Sequence, residues 1–300
     1  MTYTEIQEKN GRKYYYRVKS IKKNKKVTKI RNYLGVNLAK KQLNRLEKEA
    51  DKVINKSLDV LLTKKEREEL IKVKEKYKKE RKETFQNRYE SFVVQFTYDS
   101  NAIEGSTLSL QETSYLMFEN RTPKGKSLRE INEVLNHKKA FDYMLDYKKD
   151  INKKFICDLQ KIIVENTLKK NLENQIGRYR DLQVYIRGAK FVPPKPKDVK
   201  KDMANLLRWY IRNKNKLHPI ITSAYFHSAF ESIHPFVDGN GRTGRLLMNF
   251  ILHKYSYPMI NIPNKIKLEY VSCLEEANKG DLRKFVKFLF DLLKDTKVYV

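Results

Sequence analysis

Between Glu231 and Arg245 the chain reads Glu-Ser-Ile-His-Pro-Phe-Val-Asp-Gly-Asn-Gly-Arg-Thr-Gly-Arg. These are residue types that can handle a polyphosphate. Arg242 and Arg245 lie one helical turn apart, so both can face one anion and hold its oxygens with charge-assisted bonds. Asp238 is a hard oxygen donor suited to Mg²⁺, an ion that also bridges phosphates. His234 can act as a general base near neutral pH. Three of the chain's ten glycines, Gly239, Gly241 and Gly244, fall here and let a phosphate approach the backbone closely. Taken singly, each feature has an ordinary structural explanation: a helix end, a turn, a surface arginine pair. Taken in this order within twelve residues, they argue for a site.

The flanking pattern shows what positions them. Pro235 follows His234, which predicts that a helix through Phe226, Phe230 and Ile233 ends there. A second amphipathic helix begins near Gly241, with Leu246, Leu247, Phe250 and Ile251 as its apolar stripe. The start of a helix leaves backbone N–H groups unpaired, and its dipole favours an anion. Other helices are expected at about 109–118, 127–149, 153–168, 197–213, 265–278 and 281–295. Asn37 is the expected cap of a helix carrying Leu38, Leu43, Leu46, Ala50, Val53 and Ile54. Thr63 with Glu66, and Ser127 with Glu130, read as capping boxes. The charged run Lys64 to Lys82 reads as the solvated start of a helix that turns apolar at Phe92, Val93, Val94 and Phe96.

Two segments read as strands. Arg12–Lys19 and Val27–Arg31 flank the polar stretch 22–26, which predicts a small basic β-hairpin ended by Gly35. Gln183 to Pro194 predicts a short hairpin turning near Gly188 and stopped by its prolines. The fold class is therefore mainly α, with a β-hairpin inserted in a helical body and a basic β-hairpin and long helices in front.

Composition sets bounds. An apolar fraction of 40% over 300 residues excludes wholesale disorder, and 10 Gly with 8 Pro exclude collagen-like chains. No stretch approaches the ~18 apolar residues of a membrane span, and the N-terminus lacks a signal-peptide pattern. Cys157 and Cys273 are too few for a disulfide framework and sit in helical apolar patterns. A cytoplasmic protein with no membrane partner is expected. Lys plus Arg at 64 against Asp plus Glu at 36 gives a net charge of +28, which favours contact with phosphates and also fits a solvated, ion-rich surface.

The string from His234 to Arg245 resembles the signature of the Fic (Fido) family, His-Pro-Phe-x-[Asp/Glu]-Gly-Asn-Gly-Arg-x-x-Arg, and matches every specified position. His227, Phe230 and Glu231 ahead of it, Gly177-Arg178-Tyr179-Arg180 with the segment to Pro194, and Glu269-Tyr270 onward with Ala277, Gly280-Asp281 and Phe288 are similar to further family features. The resemblance covers roughly 90–295. Gln160 is a departure, since many relatives carry His there, and it is expected to stay apart from catalysis. The resemblance implies a Fic-type helical core with a hairpin flap. It divides the chain into a basic hairpin unit (1–36), a helical region (37–90) and a Fic core (91–300) with an inhibitory helix at about 91–105. The chain stops at Val300 soon after the core, so the C-terminal DNA-binding domain of many relatives is not expected.

The implied activity is transfer of AMP from ATP to a Ser, Thr or Tyr hydroxyl of a target protein, with the chain itself as one candidate target. In that reading His234 takes the hydroxyl proton and Asp238 holds Mg²⁺, with Mn²⁺ as the alternative ion. Gly239, Asn240, Gly241 and Arg242 cradle the phosphates, and Arg245 binds the γ-phosphate. The flap residues Ile186, Arg187, Gly188, Ala189, Lys190 and Phe191 would pin the target by strand addition. Upstream, Ser100-Asn101-Ala102-Ile103-Glu104-Gly105 is similar to the family's inhibitory motif, which implies that Glu104 contacts Arg245 and steers ATP into an unproductive pose. Two other readings stay open. The same site could remove AMP from a modified protein, with Glu104 positioning water. Alternatively, the basic segment around Tyr14, Tyr15 and Tyr16 could bind nucleic acid, since interleaved aromatic and basic residues stack bases and hold phosphates. A homodimer is compatible with the sequence and not required by it.

Overall fold

The structure, a computed structural model, describes residues 2–9, 11–23, 26–79, 85–186 and 191–295. An antiparallel sheet opens the chain, formed by β1 (Thr2–Lys9), β2 (Arg12–Lys23) and β3 (Lys26–Val36) in that order. The expected hairpin is its β2–β3 half, and β1 is an additional strand. The β1–β2 register runs from Thr2 with Lys19 to Lys9 with Arg12, and Gly11 before β2 has a left-handed φ of 70°. Thr4 Oγ1 donates to Glu47 Oε1 at 2.6 Å, and Arg17 Nη1 lies 3.8 Å from the same carboxylate. Arg212 reaches its other oxygen at 4.0 Å, so Glu47 ties the sheet to the helical body.

Asn37 does not cap α1 (Lys40–Asp59). The cap is Ala39, whose N–H is held by Gln42 Oε1. Asn37 instead adopts a left-handed φ of 47° and accepts from Lys13 N through Oδ1, pinning the strand end. The Thr63–Glu66 and Ser127–Glu130 boxes form as the sequence dictates and start α2 (Lys64–Lys78) and α5 (Leu128–Asp146). The long helix expected from Lys64 onward is two helices, α2 and α3 (Phe85–Glu104). α4 (Leu110–Phe118) and α6 (Lys153–Ile163) follow the expected positions, although α5 and α6 stop a few residues early.

α7 (Pro196–Asn213), α8 (Pro219–Ile233), α9 (Asn240–Lys254), α10 (Lys267–Asn278) and α11 (Arg283–Lys294) complete the body. α8 carries apolar residues all round and is buried from Ile220 to Phe230, as a central helix must be. α9 packs beside it, buried from Arg242 to Leu252, and α3, α5 and α6 close around α9. The Gln183–Pro194 excursion has no strand ladder among the described residues. Its base is closed by Gln183 Nε2, which donates to Pro193 O at 3.2 Å. Arg187, Gly188, Ala189 and Lys190 lie outside the described residues. None of the helices is long and apolar enough to cross a membrane, among the described residues.

Candidate active site

The loop between α8 and α9 is built by local bonds. His234 ends α8 with its N–H on Phe230 O and a left-handed backbone, φ 49°, a conformation that costs a non-glycine residue energy and clusters at functional positions. Asn240 closes the loop on itself: its Oδ1 accepts from Phe236 N and its Nδ2 donates to Phe236 O, both at 2.9 Å. The Asn240 side chain is thereby committed to the loop, and only its backbone N–H can face an anion. Gly239 has φ 80°, and a Cβ there would stand 2.9 Å from Val164 Cγ1, so both backbone and space demand glycine. The first bond of α9 runs from Thr243 N to Gly239 O, which leaves the N–H groups of Asn240, Gly241 and Arg242 without intrahelical acceptors.

Two residues given no role from the sequence hold this loop in place. Arg180, buried, donates from Nε to His234 O at 2.8 Å, from Nη1 to Leu182 O at 2.9 Å and from Nη2 to Pro194 O at 2.7 Å. It locks the base of the flap to the end of α8. Gln160, expected to be a bystander, accepts from Gly177 N at 2.7 Å and donates to Asp238 O at 3.2 Å. Neither role was legible, because the loop residues they hold, His234 and Asp238, lie 54 and 78 residues away in sequence.

The structure brings Glu104 to Arg245. Glu104 Oε1 accepts from Arg245 Nη2 at 2.8 Å, and Ser100 accepts from Arg245 Nε through Oγ at 2.9 Å and from Nη2 through its carbonyl at 2.8 Å. Arg245 is buried, and the Glu104 carboxylate beside it outweighs that burial and keeps it charged. Burial works against the Glu104 charge, but Arg245 and Arg242 outweigh it and hold the carboxyl below its ordinary range. The Glu104 side chain is still 40% exposed, so it has room to leave. A Cβ on Gly241 would stand 2.1 Å from Glu104 Oε1; the carboxylate occupies space that only a glycine leaves free. Gly105, φ 107°, ends α3 immediately after.

Burial pushes the His234 imidazole down to about 4, so it is neutral at pH 7 with a lone pair to offer. Its Nδ1 faces Glu231, with Oε2 4.0 Å away. Burial pushes the Glu231 carboxyl up to about 8, and its Oε1 has no hydrogen-bond partner. His227, also buried and pushed down to about 3, pairs with Tyr270 at 2.6 Å behind Arg245.

α5 adds a feature that no motif announced. Arg129 Nη2 donates to Asp238 Oδ2 at 3.2 Å, and Arg242 Nη2 donates to Asp238 Oδ1 at 3.2 Å. Glu133 Oε1 lies 3.1 Å from Arg129 Nε and 3.4 Å from Arg242 Nη1. The four charges close a ring. Arg242 Nε, buried, has no hydrogen-bond partner, as suits a donor kept for an anion. Ile186 and Phe191 are half-buried at the two ends of the flap.

Residues 150–252 match the Fic/DOC family. The chain is 37% identical over 206 residues to a Drosophila persimilis protein named "Protein adenylyltransferase Fic", covering 67% of this chain and 39% of that protein. The chain therefore spans about two fifths of the length of such curated relatives. Among solved structures it is similar to a Fic-domain-containing signalling protein from Bacteroides thetaiotaomicron, with TM-score 0.68, 28% identity, 76% of this chain and 93% of that one. It is also similar to Fic-1 from C. elegans, with TM-score 0.68, 25% identity, 86% of this chain and 76% of that one. With the complete signature folded as a helix-entry anion loop, and these likenesses spanning the helical body, the chain belongs to the Fic/DOC family.

Proposed function

We propose that the chain is an autoinhibited protein adenylyltransferase that moves AMP from ATP to a hydroxyl side chain of a protein. The observation that carries this reading is the Glu104–Arg245 ion pair, which seats a carboxylate over the N-terminus of α9 where a phosphate would bind. The name borne by the Drosophila relatives supports the same chemistry.

In this reading the unpaired N–H groups at the start of α9 and the Arg242 guanidinium receive phosphate oxygens, and Arg245 takes the γ-phosphate once Glu104 has left. His234, its Nδ1 turned to Glu231, accepts the target's hydroxyl proton at Nε2. The hydroxyl oxygen bonds to the α-phosphorus, the bond from that phosphorus to the α–β bridging oxygen breaks, and pyrophosphate leaves. Catalysis is positioning and charge neutralisation, with no enzyme nucleophile required. A divalent ion fits Asp238, a partly open single carboxylate, because Mg²⁺ is commonly shared between one or two carboxylates and substrate phosphates. Among the described residues, no cluster of three His, Cys, Asp or Glu could hold a metal alone. The ion would neutralise charge on the phosphates. The flap from Ile186 to Phe191 would present the target chain by strand addition.

The test is mass spectrometry of Glu104→Gly incubated with ATP and Mg²⁺, beside wild type and Glu104→Gly/His234→Ala. An added AMP mass that rises in the single variant and vanishes in the double variant is expected. No added mass despite ATP binding would overturn transfer, and release of AMP from a modified protein by wild type would then identify the reverse activity.

A further inference from the structure

Asp238 is held at both carboxylate oxygens, and the two holds differ in kind. Oδ1 accepts from Gly239 N at 2.5 Å and from Arg242, a guanidinium only 2% exposed. That oxygen is fixed by backbone and by a side chain with no room to leave. Oδ2 is held by Arg129 Nη2 at 3.2 Å, and the Arg129 side chain is 56% exposed. Oδ2 is thus the oxygen that can change partners, and its present partner is a long, exposed cation at the rim. Arg129 is itself kept over the loop by Glu133, which is buried and shared with Arg242.

We infer that Arg129 is a resident place-holder for the divalent ion: its guanidinium occupies the outer oxygen of Asp238 and must leave before that oxygen can serve a metal. This rests on Asp238 being the metal ligand of adenylyl transfer. The ring then has two functions. Without nucleotide it caps the outer oxygen of a carboxylate whose inner oxygen Arg242 already pairs. When metal and nucleotide arrive together, the exposed arginine gives way and the buried one stays. Arg129 is a positioning residue that sets how much metal the site needs. An exposed Arg–carboxylate pair contributes modestly, so competition of about threefold to tenfold in metal affinity is the scale to expect once the repulsion between a guanidinium and a divalent ion is included.

The experiment measures metal binding directly. Mn²⁺ is titrated into the full chain carrying Glu104→Gly, saturated with α,β-methylene ATP, whose α–β bridge cannot be cleaved, and free Mn²⁺ is read by electron paramagnetic resonance. Arg129→Ala should bind Mn²⁺ about threefold to tenfold more tightly than its parent, while Arg129→Lys, which keeps a cation at the rim, stays closer to the parent. Metal-free affinity for the nucleotide should be unchanged in Arg129→Ala. Weaker or unchanged Mn²⁺ binding in Arg129→Ala overturns the inference, and weaker metal-free nucleotide binding would make Arg129 a phosphate ligand instead. Asp238→Ala separates the two levels. If it keeps the parent's Mn²⁺ affinity, the metal reading of Asp238 falls and the place-holder falls with it. If it loses the ion while Arg129→Ala shows no gain, the place-holder alone falls. Arg129 is exposed at a helix start, and a thermal midpoint within a few degrees of the parent confirms that each variant is folded.

Discussion

At His234 the fold meets two requirements at once. The left-handed backbone turns the imidazole into the loop, and burial keeps it unprotonated. A histidine at its ordinary value would be half protonated near pH 6.5 and would lose half its basicity there. Here the depressed value keeps the base form intact through that range. Glu104 raises the imidazole, so a Glu104→Gly chain holds it lower still. The transfer rate of Glu104→Gly should therefore stay flat as pH falls from about 8 to about 5.5 and drop only at lower pH. The check is a pH–rate profile of auto-modification; a half-loss near 6.5 would show that the imidazole keeps its ordinary value and that burial does not depress it. His234→Ala should lower the rate about 10²- to 10⁴-fold, the span of a lost general base.

At the scale of elements, α3 is the lever. Its last turn is moored by Asp99, whose carboxylate accepts from Asn261 Nδ2 at 2.5 Å and from Asn264 N at 2.7 Å, and by Lys267, which donates to Ile103 O. Glu104 therefore inherits its position from the 261–267 segment. Asp99→Ala should lower stability by about 1–3 kcal/mol, because buried donors lose their acceptor, and should raise auto-modification above wild type by loosening Glu104. Urea midpoints and AMP incorporation measure the two effects; unchanged incorporation would show that the mooring does not govern inhibition. Such moorings were not legible in the sequence. The capping boxes at Thr63 and Ser127 were, since each is set by residues three apart. The helix entry at Asn240 was marked by its own glycines and arginines. Gln160, Arg180, Glu133 and Arg129 reach the loop and the start of α9 across gaps of 54 to 109 residues, and no local pattern encodes those partners. β1 escaped for a different reason: its alternation is weak, and the sheet forms because β2 offers it a full register.

For the whole molecule, the sheet and the site are built from separate elements. Among the described residues, those placed around the loop come from α3, α5, α6 and its cap, α8, α9, α10 or the Gly177–Pro194 stretch, and none from β1, β2 or β3. The sheet is joined to the body through Glu47, and Val18 and Leu34 are buried in its packing. A Glu104→Gly chain lacking residues 1–36 should thus keep its rate per molecule able to bind ATP, while its thermal midpoint falls by several degrees. Active-site titration with labelled nucleotide and a thermal scan test this. A lost rate at full occupancy would assign the sheet a part in presenting the target.

If Glu104 is an inhibitor, Gly241 matters to both the inhibited and the active molecule. The room left by its missing side chain receives the Glu104 carboxylate, and under the proposed function it lies where a phosphate must pass once Glu104 has left. Guard and guest compete for a single berth. No change at that berth can evict one without also turning away the other. Under the proposed function, constitutive activity is to be sought from the α3 side, through Glu104, Ser100 or the mooring that holds them.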